Sequence, residues 1–170
     1  PEIALAEAAS LDIENGVSVN AFLQTSDPDI YAVGDCCSFP HPLYEKQRIR
    51  LEMWRCARDQ AECAVQNLLG KTKEFSAVPW FWSDHFELSL QVVGLPSFVK
   101  RVIPRTRPDG VTIYCGLNNQ EQLVLAAEIG TGNSVGKDIR LAEMLIAAQK
   151  TMNPAELSDT NQNLKTLLKS

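Results

Sequence analysis

The sequence predicts a chain of two unlike parts, an α/β stretch followed by an α+β half, and three observations carry that expectation. A turn at Ser26, Asp27 and Pro28 runs into a short apolar strand over residues 30–33, which stops at Gly34 and Asp35. A helical pattern over residues 52–69 follows, with Gly70 placed to cap its C-terminus. In the later part strands come first and a helix afterwards, the order of α+β architecture. The division falls near residues 75–79, so the two domains are expected at 1–75 and 76–170.

In the first part, residues 1–9 read as a short helix opened by Pro1. Asn15-Gly16 makes a tight turn before a strand over 17–20. A long loop, 36–47, then carries the turn-prone Ser38, Pro40 and Pro42. Within the helix 52–69, Ala57, Ala61 and Ala64 fall at i, i+4 and i+7, a small-residue stripe able to lie close to a sheet or a ligand.

In the second part, Val78-Pro79-Trp80-Phe81-Trp82-Ser83-Asp84 places three large aromatics side by side, costly to leave in water. Alternation at Phe86, Leu88, Leu90 and Val92 gives a half-buried strand. Residues 98–103, 111–117 and 123–127 supply three more, with Asn118-Asn119 as a hairpin turn. The helix over 137–150 should turn Leu141, Met144, Leu145 and Ala148 inward, and short helical turns around Pro154, Leu157, Leu164, Leu167 and Leu168 end the chain.

Composition excludes several classes. The 45% hydrophobic and 22% charged content is that of a globular protein. A net charge of −5 argues against nucleic acid, and no apolar run reaches the roughly 18 residues that span a membrane. Five cysteines, Cys36, Cys37, Cys56, Cys63 and Cys115, show no framework spacing and no C-x-x-C motif. Buried thiols in a reducing cytoplasm are a better reading than zinc held by Cys36 or Cys37 with His41, Cys56 and Cys63. No G-x-G-x-x-G occurs; Gly130-Thr131-Gly132-Asn133-Ser134-Val135-Gly136 lacks the βαβ frame and reads as a turn. His41 and His85 lack partners at a telling spacing and read as structural.

The chemistry concentrates at Gly34-Asp35. In open α/β sheets ligands gather beyond the carboxyl ends of strands. Gly34 admits a bulky group to the backbone, and Asp35 can accept hydrogen bonds from hydroxyls. The bland alternative is a βα loop with a capping Asp. Residues 25–35, Thr-Ser-Asp-Pro-Asp-Ile-Tyr-Ala-Val-Gly-Asp, resemble the second FAD-binding signature of two-dinucleotide-binding-domain flavoprotein reductases. Arg48-Ile49-Arg50-Leu51-Glu52-Met53-Trp54, with Ala57, Gln60 and Ala61, resembles a run in the ferredoxin reductases that serve aromatic-ring dioxygenases and some cytochromes P450. The Trp80-Phe81-Trp82 block resembles the start of that family's third domain.

The resemblance implies the α/β end of an FAD-binding (Rossmann-like) domain followed by an α+β C-terminal reductase domain, with FAD-adenosine and nicotinamide parts upstream of Pro1. It implies electron flow from NADH or NADPH through FAD to a [2Fe-2S] ferredoxin that feeds an oxygenase. By resemblance, Asp35 holds the ribityl chain with Gly34 beside it in the cofactor site, and Glu52, Met53 and Trp54 line the isoalloxazine by their backbone. Trp82 sits between flavin and partner. No protein residue is expected to act as a catalytic acid or base, since the chemistry belongs to the cofactor. Cys36-Cys37 departs from the family's usual Cys-Ala or Ala-rich sequence and leaves the role of Asp35 intact.

Charge adds a partner expectation. The residues through Ala77 carry a balance of −5 and the remainder zero. Lys46, Arg48, Arg50, Arg55 and Arg58 cluster within that acidic half, and Arg48, Arg50 and Arg55 are expected to dock an acidic ferredoxin. A solvated face is the alternative for these, and the default for Lys100, Arg101, Arg105 and Arg107. Two other functional readings stay open: a reductase using rubredoxin, monodehydroascorbate or oxygen, and a cofactor-free interaction or homodimerisation unit.

Overall fold

The structure, a computed structural model, describes residues 1–168 apart from the side chain of Asn133. Lys169 and Ser170, the end of the second expected domain, lie outside the described residues. The chain divides after Pro79 into two compact units, Pro1–Pro79 and Trp80–Ser170. The segment before the division is tied into the first unit. Phe75 is buried, donates its N–H to Ala21 O at 2.9 Å and meets Phe39 edge-on at 5.3 Å.

The first unit holds helix α1 (Ala4–Ala8), strands β1 (Val17–Ser18), β2 (Cys37–Pro40) and β3 (Arg48–Ile49), and the long helix α2 (Trp54–Leu68). Its sheet runs β1-β2-β3, with β1 parallel and β3 antiparallel to β2. Two expectations need correction. Residues 30–33 form no strand; only an isolated bridge joins Tyr31 to Gln24. The run from Thr25 closes on itself instead. Thr25 N–H and Oγ1 both donate to Ile30 O at 3.0 Å, and Ile30 N–H donates to Asp27 O at 3.1 Å. These bonds occupy groups that a ladder would need. The strand lies later, at β2, inside what the sequence suggested was loop, because Cys37, Ser38 and Phe39 are all buried.

Helix α2 ends as the sequence predicts: Lys71 N–H bonds to Gln66 O and Gly70 N–H to Asn67 O, both at 3.0 Å, a Schellman closure. Its start is later, because Met53 is extended and serves as the N-cap. The expected alanine stripe is not the buried face. Cys56, Gln60, Cys63, Ala64 and Asn67 are buried, while Ala61 is exposed. The inward face is thus polar-bearing, and its polar groups are spent on backbone: Asn67 Nδ2 donates at 2.9 Å to Phe22 O and to Lys73 O.

The second unit is a five-stranded antiparallel sheet, β4 (Trp80–His85), β5 (Leu88–Gly94), β6 (Arg101–Thr106), β7 (Thr112–Leu117) and β8 (Leu123–Thr131), ordered β4-β5-β8-β7-β6. The aromatic block is therefore a strand, β4, which the sequence did not declare because its residues do not alternate in polarity. Helices α3 (Lys137–Ala148), α4 (Pro154–Ser158) and α5 (Leu164–Leu167) complete the unit. Register aligns Val93, Ala126, Cys115 and Ile103 in one inward row. The next inward row is Trp82, Gln91, Glu128, Ile113 and Arg105. The buried face of α3 is Ile139, Ala142, Leu145 and Ile146, whereas Met144 and Ala148, expected inside, are exposed.

Arg105 and Arg107 are not a solvated basic face. Arg105 is buried and its guanidinium donates to Leu157 O, Asp159 O and Gln162 O. Arg107 pairs with Asp109 at 2.7 Å, with buried Glu128 at 3.0 Å and with Asp138 at 3.4 Å. Among the described residues no helix is long and apolar enough to cross a membrane.

Candidate functional site

In the first unit the sequence-marked residues converge. Gly34 begins a 3₁₀ turn, Gly34–Cys36, packed on α2. It is buried with φ +79°, the backbone angle that calls for a glycine, and a Cβ there would meet Ala57 Cβ at 3.4 Å. Gln60 of α2 fixes the turn by accepting from Gly34 N–H at 2.6 Å. The consequence is an exposed Asp35 held at a defined place beside the helix.

Arg50 joins this turn to the start of α2. Its Nη1 donates to the Asp35 carbonyl at 3.0 Å and to Glu52 Oε1 at 2.5 Å. That guanidinium holds the Glu52 carboxyl below the usual carboxylate range. Glu52, Met53 and Trp54 then lead into the helix, where Met53 offers no side-chain cap and the Trp54 ring stands 67% exposed. Arg58 Cζ lies 5.5 Å from the centroid of that ring. The result is an open rim with a carboxylate, a helix start and a large aromatic.

The three arginines expected to dock a partner are differently placed. Arg48 turns inward, donating to Ser38 O at 2.6 Å and Val19 O at 3.0 Å and pairing with Glu14 at 3.0 Å. It is a staple between β1, β2 and β3 rather than a loose surface charge. Arg50 is committed as just described. Arg55 pairs with Asp59 at 3.5 Å along the helix.

Three of the buried thiols are not built for reaction. Burial pushes Cys37, Cys56 and Cys115 up to about 12, which keeps them protonated. All five cysteines are free, and among the described residues no group of His, Cys, Asp and Glu could hold a metal ion. His41 is fully buried and bonded at both nitrogens, and burial lowers it to about 4.

In the second unit Trp82 lines a cleft of about 700 Å³ together with Asp84, Phe86, Leu88, Gln91 and Val135. Trp82 is 41% exposed there. The far wall, Thr131, Gly132 and Val135, belongs to the glycine-rich run before α3. Glu128 Oε2 accepts from Gly136 N–H at 3.3 Å and Arg107 donates to Ser134 O at 2.6 Å, so the pair of buried Glu128 and half-buried Arg107 holds that run in place. Sequence reasoning missed Gln91 and Glu128. Their signal was strand parity, since Glu128 shares the inward phase of Val124 and Ala126.

Comparison with known proteins follows the same division. Residues 80–168 match the family described as reductase C-terminal, and residues 1–61 match pyridine nucleotide-disulphide oxidoreductase. The ferredoxin–NAD(+) reductase component of the anthranilate 1,2-dioxygenase system from Burkholderia cepacia is 36% identical over 169 residues, 99% of this chain and 40% of that protein. Putidaredoxin reductase from Pseudomonas putida is 35% identical over 173 residues, 99% of this chain and 39% of that protein. In the solved covalent putidaredoxin reductase–putidaredoxin complex, one chain is similar with a TM-score of 0.86 at 32% identity, over 99% of this chain and 39% of that one. The chain thus spans about 40% of the length of the first of these relatives.

Proposed function

Since the chain belongs to the reductase C-terminal family, we propose that it works as part of a flavoprotein reductase that passes electrons from NADH or NADPH to a ferredoxin. In this reading residues 1–75 are the end of the FAD-binding domain and 76–170 the C-terminal domain. The observation that carries it is the Arg50 bridge, which ties the Asp35 turn and the start of α2 into one rim.

That rim fits FAD. An exposed carboxylate suits the hydroxyls of a ribityl chain. Gly34 has no side chain to stand between that chain and the backbone, and the opening of α2 favours negative charge on a neighbouring ring. FAD would supply the change from two-electron hydride chemistry to single-electron transfer. Gly34 and Asp35 would bind and orient it, Glu52, Met53 and Trp54 would border its ring, and Trp82 would stand toward the acceptor. The acceptor is a small [2Fe-2S] ferredoxin, and the setting is cytoplasmic, in keeping with five unpaired thiols. The exposed Phe81, Val102, Tyr114 and Ile129 on the outer sheet face offer a homodimer contact.

In this reading docking rests chiefly on Arg55, because Arg48 is turned inward and Arg50 is committed to Asp35 and Glu52. Arg48 and Arg50 also brace the fold, so Arg55→Gln is the cleaner test. In the FAD-loaded protein it should slow ferredoxin reduction about two- to fivefold and flatten its salt dependence, while ferricyanide reduction is unchanged. Equal loss of both rates refutes docking. Absence of FAD uptake by the full-length protein refutes the reductase reading itself and favours a cofactor-free interaction unit.

A further inference from the structure

A second cavity in the Trp80–Ser170 unit, of about 510 Å³, lies between Trp80, the start of α3 and α5. Its volume falls within the roughly 300–1,000 Å³ of small-molecule sites. Trp80 and Leu141 give it apolar walls, and Lys137, Arg140 and Lys165 bring three cations to it. Among the described residues no carboxylate lines it.

The walls are preset. The Trp80 indole Nε1–H donates to Gln91 Oε1 at 2.9 Å, which satisfies the ring's polar handle and fixes its plane. Arg140 Cζ stands 5.7 Å from the centroid of that ring, so a planar cation is already stacked at the cavity. Lys137 and Arg140 are three residues apart on α3 and share a face, while Lys165 approaches from α5. Arg140 also reaches Glu143 at 3.2 Å. Lys137 and Lys165 have no ion pair among the described residues.

Three like charges around an apolar hollow repel one another, and an anion entering it relieves that repulsion. A bare inorganic anion would leave the tryptophan wall unused, and a neutral apolar molecule would leave the cations unanswered. We propose that this cavity binds a small aromatic carboxylate, its ring against Trp80 and Leu141 and its carboxylate among Lys137, Arg140 and Lys165. The site stands apart from the flavin reading and does not depend on it.

The test titrates the full chain with benzoate and follows the Trp80 indole Nε1–H resonance by NMR, with benzyl alcohol and inorganic phosphate as comparison probes. Saturable movement of that resonance by benzoate is expected, with binding about tenfold weaker for benzyl alcohol and about tenfold weaker in the Lys137→Gln/Lys165→Gln variant. Both lysines are solvent-facing, and an unchanged spectrum elsewhere verifies that the variant folds. No saturable shift with benzoate, equal binding of benzyl alcohol, equal binding of phosphate, or an undiminished affinity in the folded double variant each overturns the assignment.

Discussion

The buried His41 should make the first unit acid-sensitive in a way that one substitution removes. Its ring is enclosed by Phe39, Tyr44 and Phe75, and both nitrogens are engaged: Nδ1 accepts from Leu43 N–H at 3.3 Å, so Nε2 carries the proton and donates to Ala77 O at 3.0 Å. A second proton would have to sit at Nδ1, facing the Leu43 N–H. Burial therefore lowers this histidine from 6.5 to about 4. The unfolded chain takes up a proton first as the pH drops. His41 thus contributes its full stability above about pH 6.5 and loses about 1.4 kcal/mol per pH unit from there down to about pH 4. Between pH 8 and pH 5 the loss is about 2 kcal/mol. Urea unfolding at both pH values, for the wild type and for His41→Gln, isolates this contribution, because all other titrations are shared. The wild type should lose about 2 kcal/mol more than the variant. Equal losses, or a His41 ring titrating near 6.5 in the folded protein, would refute the reasoning.

Two further outcomes are expected. Asp35→Ala in the FAD-loaded protein removes charged acceptors for hydroxyls, and should weaken FAD retention roughly 10- to 100-fold by equilibrium dialysis. An unchanged affinity would remove Asp35 from the binding site. Gly94→Ala places a Cβ 2.0 Å from Val124 O at φ +86°, at the end of β5, so it should cost about 2 kcal/mol or more in thermal unfolding. A neutral substitution would mean that β5 ends differently.

Several elements were legible because local chemistry and tertiary need agree. Helix α2 closes at Gly70 as its sequence demands, and β7 joins β8 through a turn at Asn118, whose side chain accepts from Gln120 and Gln122 N–H at 2.9 Å. Others were hidden by tertiary context. Cys-Ser-Phe-Pro looks like loop, yet its burial on both faces makes it β2. Residues 30–33 look like strand, yet Thr25 and Asp27 take up the backbone groups of Ile30. The inward face of α3 is set by Ile139 and Ala142, and Met144 falls outside it although its apolarity suggested otherwise. For the candidate site, the motif showed Gly34 and Asp35, but nothing in the order of residues revealed that Arg50 would join them to Glu52. The inward Arg48 was equally unreadable, since a charge carries no mark of the carbonyls it will meet.

Arg105 gives the end of the chain an unusual dependence. Its guanidinium is a buried positive charge whose recorded acceptors are three carbonyls of residues 157–162, while Nε has no partner. Proteolysis within that segment would do more than trim a loose tail. It would take these carbonyl acceptors from a buried cation, at a cost of several kcal/mol. Residues 157–162 therefore behave as a keystone: cleavage within them should unseat the edge strand β6 and melt the Trp80–Ser170 unit in one step rather than by degrees.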